Sequence, residues 1–293
     1  MLGISKRVLM CEPTFFGVSY TINPHMARSR SERAGKDPVD NALAQKQWKE
    51  LVRTLFLAGI QVSFINPVPG LPDMVFTANA GFIHNGKIAL SNFRHTERMP
   101  EEEVFKNFFL SKKNFQIEIL PPSITPPNEE PVGVFFEGHG DALFYHSVVF
   151  AGHGFRSNEL GISEAMRRVD FRGKCLLLEL ISADFYHLDT CLATIGDVVL
   201  YYPEAFSARS QKSLEDEVAC LGGRLIPVSS KDAHNFVCNG IPVQGENRWR
   251  FITARPTKKL QKKLKDLNIE VWPVETGEFL KSGGGARCLI LFI

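Results

Sequence analysis

Residues 39–65 read VDNALAQKQWKELVRTLFLAGIQVSFI. Val39, Leu43, Leu51, Leu55 and Ala58 fall at helical spacing, which predicts an amphipathic helix over Val39–Ala58. Gly59 is a stop signal, and Gln61–Ile65 beyond it carries the β-branched and aromatic residues of a strand. The same helix-then-strand order returns along the chain. Further helices are expected to begin near Glu101, Asn158, Gln211 and Thr257, so the five starts lie 62, 57, 53 and 46 residues apart. Strand-like runs follow them at Phe115–Leu120, Lys174–Leu180, Arg224–Val228 and Ile269–Pro273. Other apolar runs lie between the copies: Arg7–Cys11, Lys87–Ser91, Val132–Phe136, Ser147–Ala151, Val198–Tyr202, Trp249–Thr253 and Cys288–Ile293. A quasi-period of this length predicts an α/β chain built as a radial or stacked repeat. The Pro-rich segment Pro121–Pro131 reads as a surface loop inside one unit, and no low-complexity linker divides the chain. Residues 1–293 therefore read as one domain with internal pseudo-symmetry.

Composition narrows the function classes. With 34 Lys+Arg against 32 Asp+Glu the formal net charge is +2, which lacks the concentrated basic surface that a nucleic acid or anionic membrane requires. No stretch approaches the roughly 18 apolar residues of a membrane helix. The opening MLGISKRVLMCEP has no apolar signal core, so a cytoplasmic protein is expected. The six cysteines, at 11, 175, 191, 220, 238 and 288, form no CxxC pair. They read as free thiols in a reducing compartment rather than as disulfides or a zinc site. His139, His146 and His153 are spaced by seven, which fits no usual zinc pattern, so no metal is expected.

Four clusters carry possible chemistry. Phe136-Glu137-Gly138-His139-Gly140-Asp141 places two carboxylates around glycines at the end of an apolar run. It reads either as a polar turn or as a site where a sharp bend brings both acids together. In Tyr186-His187-Leu188-Asp189-Thr190-Cys191 an extended backbone would put His187 and Asp189 on one face, an acid–base group beside an anion. A core histidine and a turn aspartate are the plainer alternative. Gly283-Gly284-Gly285-Ala286-Arg287-Cys288 is not a phosphate loop, because no Lys-Ser/Thr follows. It can bring backbone close to a ligand and present Cys288 at the mouth of a strand, where only an activated thiolate would attack. In Leu71–Gly81 and Phe93–Arg98, Asn79 closes a strand-like run, with Arg94 and Arg98 shortly after it. Arginines near a carboxylate-rich pocket can clamp the acid group of a ligand, or can simply be solvated.

These segments together resemble the guanidino-group-modifying enzymes. That is the pentein superfamily of arginine deiminases, amidinotransferases and dimethylarginine hydrolases, and within it the arginine dihydrolase subgroup. The resemblance is carried by INPHM at Ile22–Met26, LPDMVFTANAG at Leu71–Gly81 and SNFRHTER at Ser91–Arg98. It continues with FEGHGDALF at Phe136–Phe144, FAGHGFRSN at Phe150–Asn158, FYHLDTC at Phe185–Cys191, VLYYPEAF at Val199–Phe206 and FLKSGGGARCL at Phe279–Leu289. It covers nearly the whole chain in the correct order.

The resemblance implies a five-bladed α/β propeller and a single guanidino-group-modifying catalytic domain over residues 1–293. It implies Cys288 as nucleophile, His187 as general acid and base, and Glu137 and Asp189 as the carboxylates that grip the guanidinium. Asp141 matches a second acidic position. Arg98 and Arg156 match positions that hold the substrate carboxylate, with Arg94 a contender, and Asn23 matches a substrate-contacting residue of the dihydrolases. Related deiminases carry Asp where Asn79 stands. A neutral amide there could hold a ureido intermediate for a second attack, giving ornithine, two ammonia and carbon dioxide from arginine. No cofactor is implied, the partner is a small guanidino substrate, and a homo-oligomer is compatible with the sequence. His139 and His153 depart from the small and aromatic residues expected at their positions, and His139 could narrow the pocket or add an acid–base group. Competing readings are a dimethylargininase or deiminase that stops at citrulline, an amidinotransferase, and a catalytically silent propeller.

Overall fold

The computed structural model describes residues 6–32, 37–112, 114–125 and 130–293. The start of the chain and the middle of the Pro121–Pro131 loop lie outside the described residues. Helices form where the periodicity places them: Asn41–Leu57, Pro100–Leu110, Glu159–Arg168, Ala208–Cys220 and Lys258–Asp266. Asp40, Asn158, Ser207 and Thr257 cap four of them, each accepting a backbone N–H three residues on. The fourth helix starts three residues before Gln211, because Ser207 supplies the cap. The inward face of Asn41–Leu57 also differs from expectation. Ala44, Trp48, Leu51 and Leu55 are buried, whereas Leu43 is 39% exposed. Positions 44, 48, 51 and 55 form the tighter stripe, and each buried leucine contributes on the order of 1.5–3 kcal/mol.

Five three-stranded sheets share one plan: a middle strand pairs antiparallel with one neighbour and parallel with the other. Gly81–His84, Lys87–Leu90 and Gln116–Glu118 form one sheet, and Ala142–Tyr145, Val148–His153 and Cys175–Glu179 form the next. Leu192–Ile195, Val198–Tyr201 and Arg224–Pro227 follow, then Ile241–Gln244, Trp249–Thr253 and Ile269–Pro273. The remaining sheet joins the two ends of the chain: Leu291–Phe292 lies antiparallel to Arg7–Cys11, which is parallel to Gln61–Ile65. Each parallel pair is bridged by one of the five helices, as a parallel connection requires. The tight hairpin between His84 and Lys87 is turned by Asn85 and Gly86, with φ of 48° and 76°, the left-handed pair of a type I′ turn.

Three strand expectations change. Only Leu291–Phe292 of the Cys288–Ile293 run is strand, so Cys288 sits in the turn before it. Val132–Gly133 pairs instead with Ser123–Ile124 in a small sixth sheet. Asn79 lies in a 3-10 turn, Thr77–Ala80, and precedes a strand instead of closing one. Strands from all five three-stranded sheets reach one cavity of about 320 Å³, which Ile83, Leu143, Ala193, Pro242 and Phe292 help to line. Among the described residues no helix is long and apolar enough to cross a membrane.

Candidate active site

Segments far apart in sequence meet around Cys288. Its Sγ donates to Asp189 at 3.4 Å and accepts Asn239 Nδ2 at 3.1 Å. The Cys288 carbonyl accepts the Ala78 N–H, which fixes the turn against the Thr77–Ala80 segment. Burial, and then the Asp189 carboxylate, push the Cys288 thiol well above the ordinary thiol range. The same burial raises Asp189 to about 6 against the opposing pull of His187 and Arg287.

His187 and Asp189 do not lie on a strand. Leu188–Cys191 forms a helical turn with His187 at its N-cap, because Asp141 Oδ1 accepts the Leu188 N–H at 3.1 Å. His187 Nε2 donates to Glu137 Oε2 at 2.8 Å, and Arg156 Nη1 donates to the same oxygen at 3.1 Å. Burial alone would raise the Glu137 carboxyl, but Arg156 and the hydrogen bond from His187 outweigh it and hold Glu137 far below the ordinary range. Glu137 is thus an anion that orients the imidazole. Its sharp bend depends on Gly138, at φ 61°, where a Cβ would sit 2.7–2.9 Å from backbone atoms of Gly81 and Ala78.

A tight cavity of about 10 Å³ opens on this cluster. It is lined by Asn23, Asn79, Arg98, Arg156, His187 and Cys288 among the sequence-level candidates. Glu137, Asp141 and Asp189 stand behind that lining, each almost fully buried. Asp141 Oδ2 accepts Ser157 Oγ at 2.6 Å, so this carboxylate braces the His187 turn. Arg98 forms a two-pronged pair with Glu101, at 2.9 and 2.8 Å, and donates from Nη1 to Asn79 Oδ1 at 3.0 Å. Asn79 in turn donates to the Glu137 carbonyl at 3.1 Å. Both ends of the Asn79 amide are therefore fixed. Arg156 rests on the Tyr186 ring, 4.5 Å from its centroid, and Asn23 donates to the Ser282 carbonyl at 3.0 Å. Arg94 is engaged elsewhere, donating to the carbonyls of Gly154 and Phe155.

The structure adds residues that the sequence did not single out. Asp73 lines the cavity, accepting Tyr20 OH at 2.8 Å and Ser282 Oγ at 3.2 Å. Met26, Phe76, Tyr186 and Ser282 line it too, and Asn239 supports Cys288 from behind. Asp73 stood inside the motif Leu71–Gly81, but only the fold reveals that it faces the same space as Cys288. His139 is withdrawn from the site: Nδ1 bonds the Ala142 carbonyl at 3.1 Å, the ring packs on Phe82, and it lines the other cavity. Burial, helped by Arg287, pushes it down to about 3, so the ring is neutral. His146 meets Asp197 and His153 meets Glu159, so the three evenly spaced histidines do not converge.

The sequence profile of the family "N,N dimethylarginine dimethylhydrolase, eukaryotic" matches residues 15–293. The bifunctional arginine dihydrolase/ornithine cyclodeaminase ArgZ of Synechocystis sp. is 37% identical over 97% of this chain, which spans only 37% of that protein's length. The N(G),N(G)-dimethylarginine dimethylaminohydrolase of Mycobacterium tuberculosis is 33% identical over 99% of this chain and 86% of its own. The crystal structure of the N-terminal domain of ArgZ, a cysteine-to-serine mutant bound to substrate, superposes with a TM-score of 0.84 at 36% identity, covering 97% of both chains.

Proposed function

Because this chain belongs to the N,N-dimethylarginine dimethylhydrolase family, we propose that it is a cysteine-dependent hydrolase of the guanidino group of L-arginine. The specific reading is an arginine dihydrolase, which converts arginine and two waters into ornithine, two ammonia and carbon dioxide. The chain spans about a third of ArgZ but nearly all of that protein's arginine dihydrolase N-terminal domain, which supports assigning this half-reaction to it. The five sheets and their shared cavity support a five-bladed propeller serving as one catalytic domain over residues 1–293.

In this reading a guanidinium enters beside Cys288, and its charge offsets the burial that keeps the thiol protonated. Cys288 passes its proton to His187, which lines the same cavity, and the thiolate attacks the guanidino carbon, forming a C–S bond. Ammonia departs with a proton from His187, which Glu137 holds in place. His187 then takes a proton from water, whose attack on the same carbon breaks the C–S bond and leaves a ureido group in the cavity. A second attack by Cys288 on that carbon expels the second ammonia, and a second water breaks the new C–S bond to give a carbamate that splits into ornithine and carbon dioxide. Asp189 and Asp73 supply the anionic surroundings of the cation, while Arg156, Arg98 and Asn23 set the polar end of the substrate. Asp141 acts as a positioning residue for His187.

The observation that carries the dihydrolase reading is Asn79. This neutral amide lines the cavity with its oxygen held by Arg98 and its nitrogen by the Glu137 carbonyl. A ureido group is neutral and needs both donors and acceptors, so an amide retains it better than a second carboxylate would. The M. tuberculosis relative favours a second reading, hydrolysis of methylated arginine to citrulline. Incubation with L-arginine and quantification of ornithine, citrulline and ammonia, beside Cys288→Ala, separates them. Two ammonia per ornithine supports the dihydrolase. Citrulline with one ammonia, or turnover of dimethylarginine alone, overturns it, and activity surviving in Cys288→Ala removes the nucleophile.

A further inference from the structure

Cys288 and its neighbour Arg287 face different spaces. Cys288 lines the small cavity, whereas Arg287 lines the larger one that all five three-stranded sheets share. The floor of the larger cavity is buried: Arg287 is 6% and His139 5% exposed. Its mouth is half-buried at Ile83, Thr194, Pro242 and Phe292. Apolar walls with a few convergent polar groups at this volume are the usual make-up of a small-molecule site.

Arg287 is the feature that needs explaining. Its side chain donates to the Ile290 carbonyl at 3.0 Å and lies 5.1 Å from the Phe292 ring centroid. Among the described residues no carboxylate forms an ion pair with it, unlike Arg98 and Arg156, which are equally buried. The nearest anion that acts on it, Asp189, does so from beyond ion-pair distance. A buried guanidinium with no anion in contact is costly, and it favours any ligand that supplies one. His139 is neutral and adds no second cation, so a dianion would be left half unpaired.

We propose that this cavity is a second ligand site, one that binds a small apolar monocarboxylate with its acid group on Arg287 and its hydrocarbon body against Leu143, Ala193 and Phe292. The site is separate from the reaction at Cys288 and stands whichever guanidino substrate is turned over. Isothermal titration calorimetry of the full chain with 4-methylpentanoate tests it, with the neutral amide 4-methylpentanamide as control. The expected result is saturable binding of the acid, at least about tenfold weaker for the amide and for Arg287→Met. Thr194→Trp, which fills the mouth, is expected to abolish binding while its thermal melt stays cooperative. Absence of binding, equal affinity for acid and amide, or binding that survives Thr194→Trp would overturn the assignment.

Discussion

Asn239 holds Cys288 from two sides: its Nδ2 donates to the sulfur at 3.1 Å, and its Oδ1 accepts the Cys288 backbone N–H at 3.2 Å. The same oxygen accepts the Arg287 N–H at 3.0 Å, and Nδ2 also reaches the Asp189 carbonyl. One amide thus locks the turn that carries the nucleophile to the turn that carries its carboxylate neighbour.

Asn239→Ala removes that lock and leaves buried N–H groups without an acceptor, which costs about 1–3 kcal/mol in urea unfolding. Displacement of the sulfur by about 1 Å should lower kcat on the order of 100-fold. Retention of full kcat by Asn239→Ala would show that the turn is rigid without it.

The raised Asp189 carboxyl has a stability consequence. Its value of about 6 in the folded chain exceeds the ordinary 3.8, so between those values the folded state binds more protons than the unfolded one. Stability therefore falls as pH rises through that window. Asp189→Asn cannot ionise and should lose less stability than the parent chain between about pH 4 and pH 6, with a midpoint about 1–4 °C higher near pH 7 and severely reduced turnover. Parallel thermal melts across that range check it. A steeper decline in the variant would refute the assignment.

Asn79→Asp exchanges an amide that bonds both Arg98 and the Glu137 carbonyl for a carboxylate that must face that carbonyl without a donor. Under the dihydrolase reading, citrulline should accumulate and ornithine should fall by about tenfold or more, a difference of ~1.4 kcal/mol or greater between the two steps. An unchanged product ratio removes Asn79 from the choice of product.

Glu101 is fully buried and neutralises Arg98 through two hydrogen bonds. Glu101→Gln leaves that guanidinium uncompensated and should cost about 3–5 kcal/mol of stability. Arg98 also fixes Asn79, so the product distribution should blur together with the loss of stability. Denaturant midpoints and product analysis on one preparation read both. A midpoint unchanged in Glu101→Gln would mean that Arg98 finds another anion.

Short-range pattern was enough for the elements and for the roster of reactive groups. Helix starts at Asp40, Asn158 and Thr257 follow from capping chemistry, and strands such as Gln61–Ile65 and Ile269–Pro273 follow from apolar runs between turn residues, all local properties. The four clusters that meet around Cys288 were recognisable for the same reason, since each is a contiguous segment. What each side chain faces was not local. A period of two cannot place His187 and Asp189 once Asp141, 47 residues away, pins the Leu188 amide into a helical turn. Tertiary contact alone put Asp73 beside Ser282, Asn239 against Cys288, and Arg287 into a cavity separate from its neighbour's. Periodicity reports on atoms a few residues apart, whereas Asn23 reaches Ser282 across 259 positions only because the ends of the chain close into one sheet.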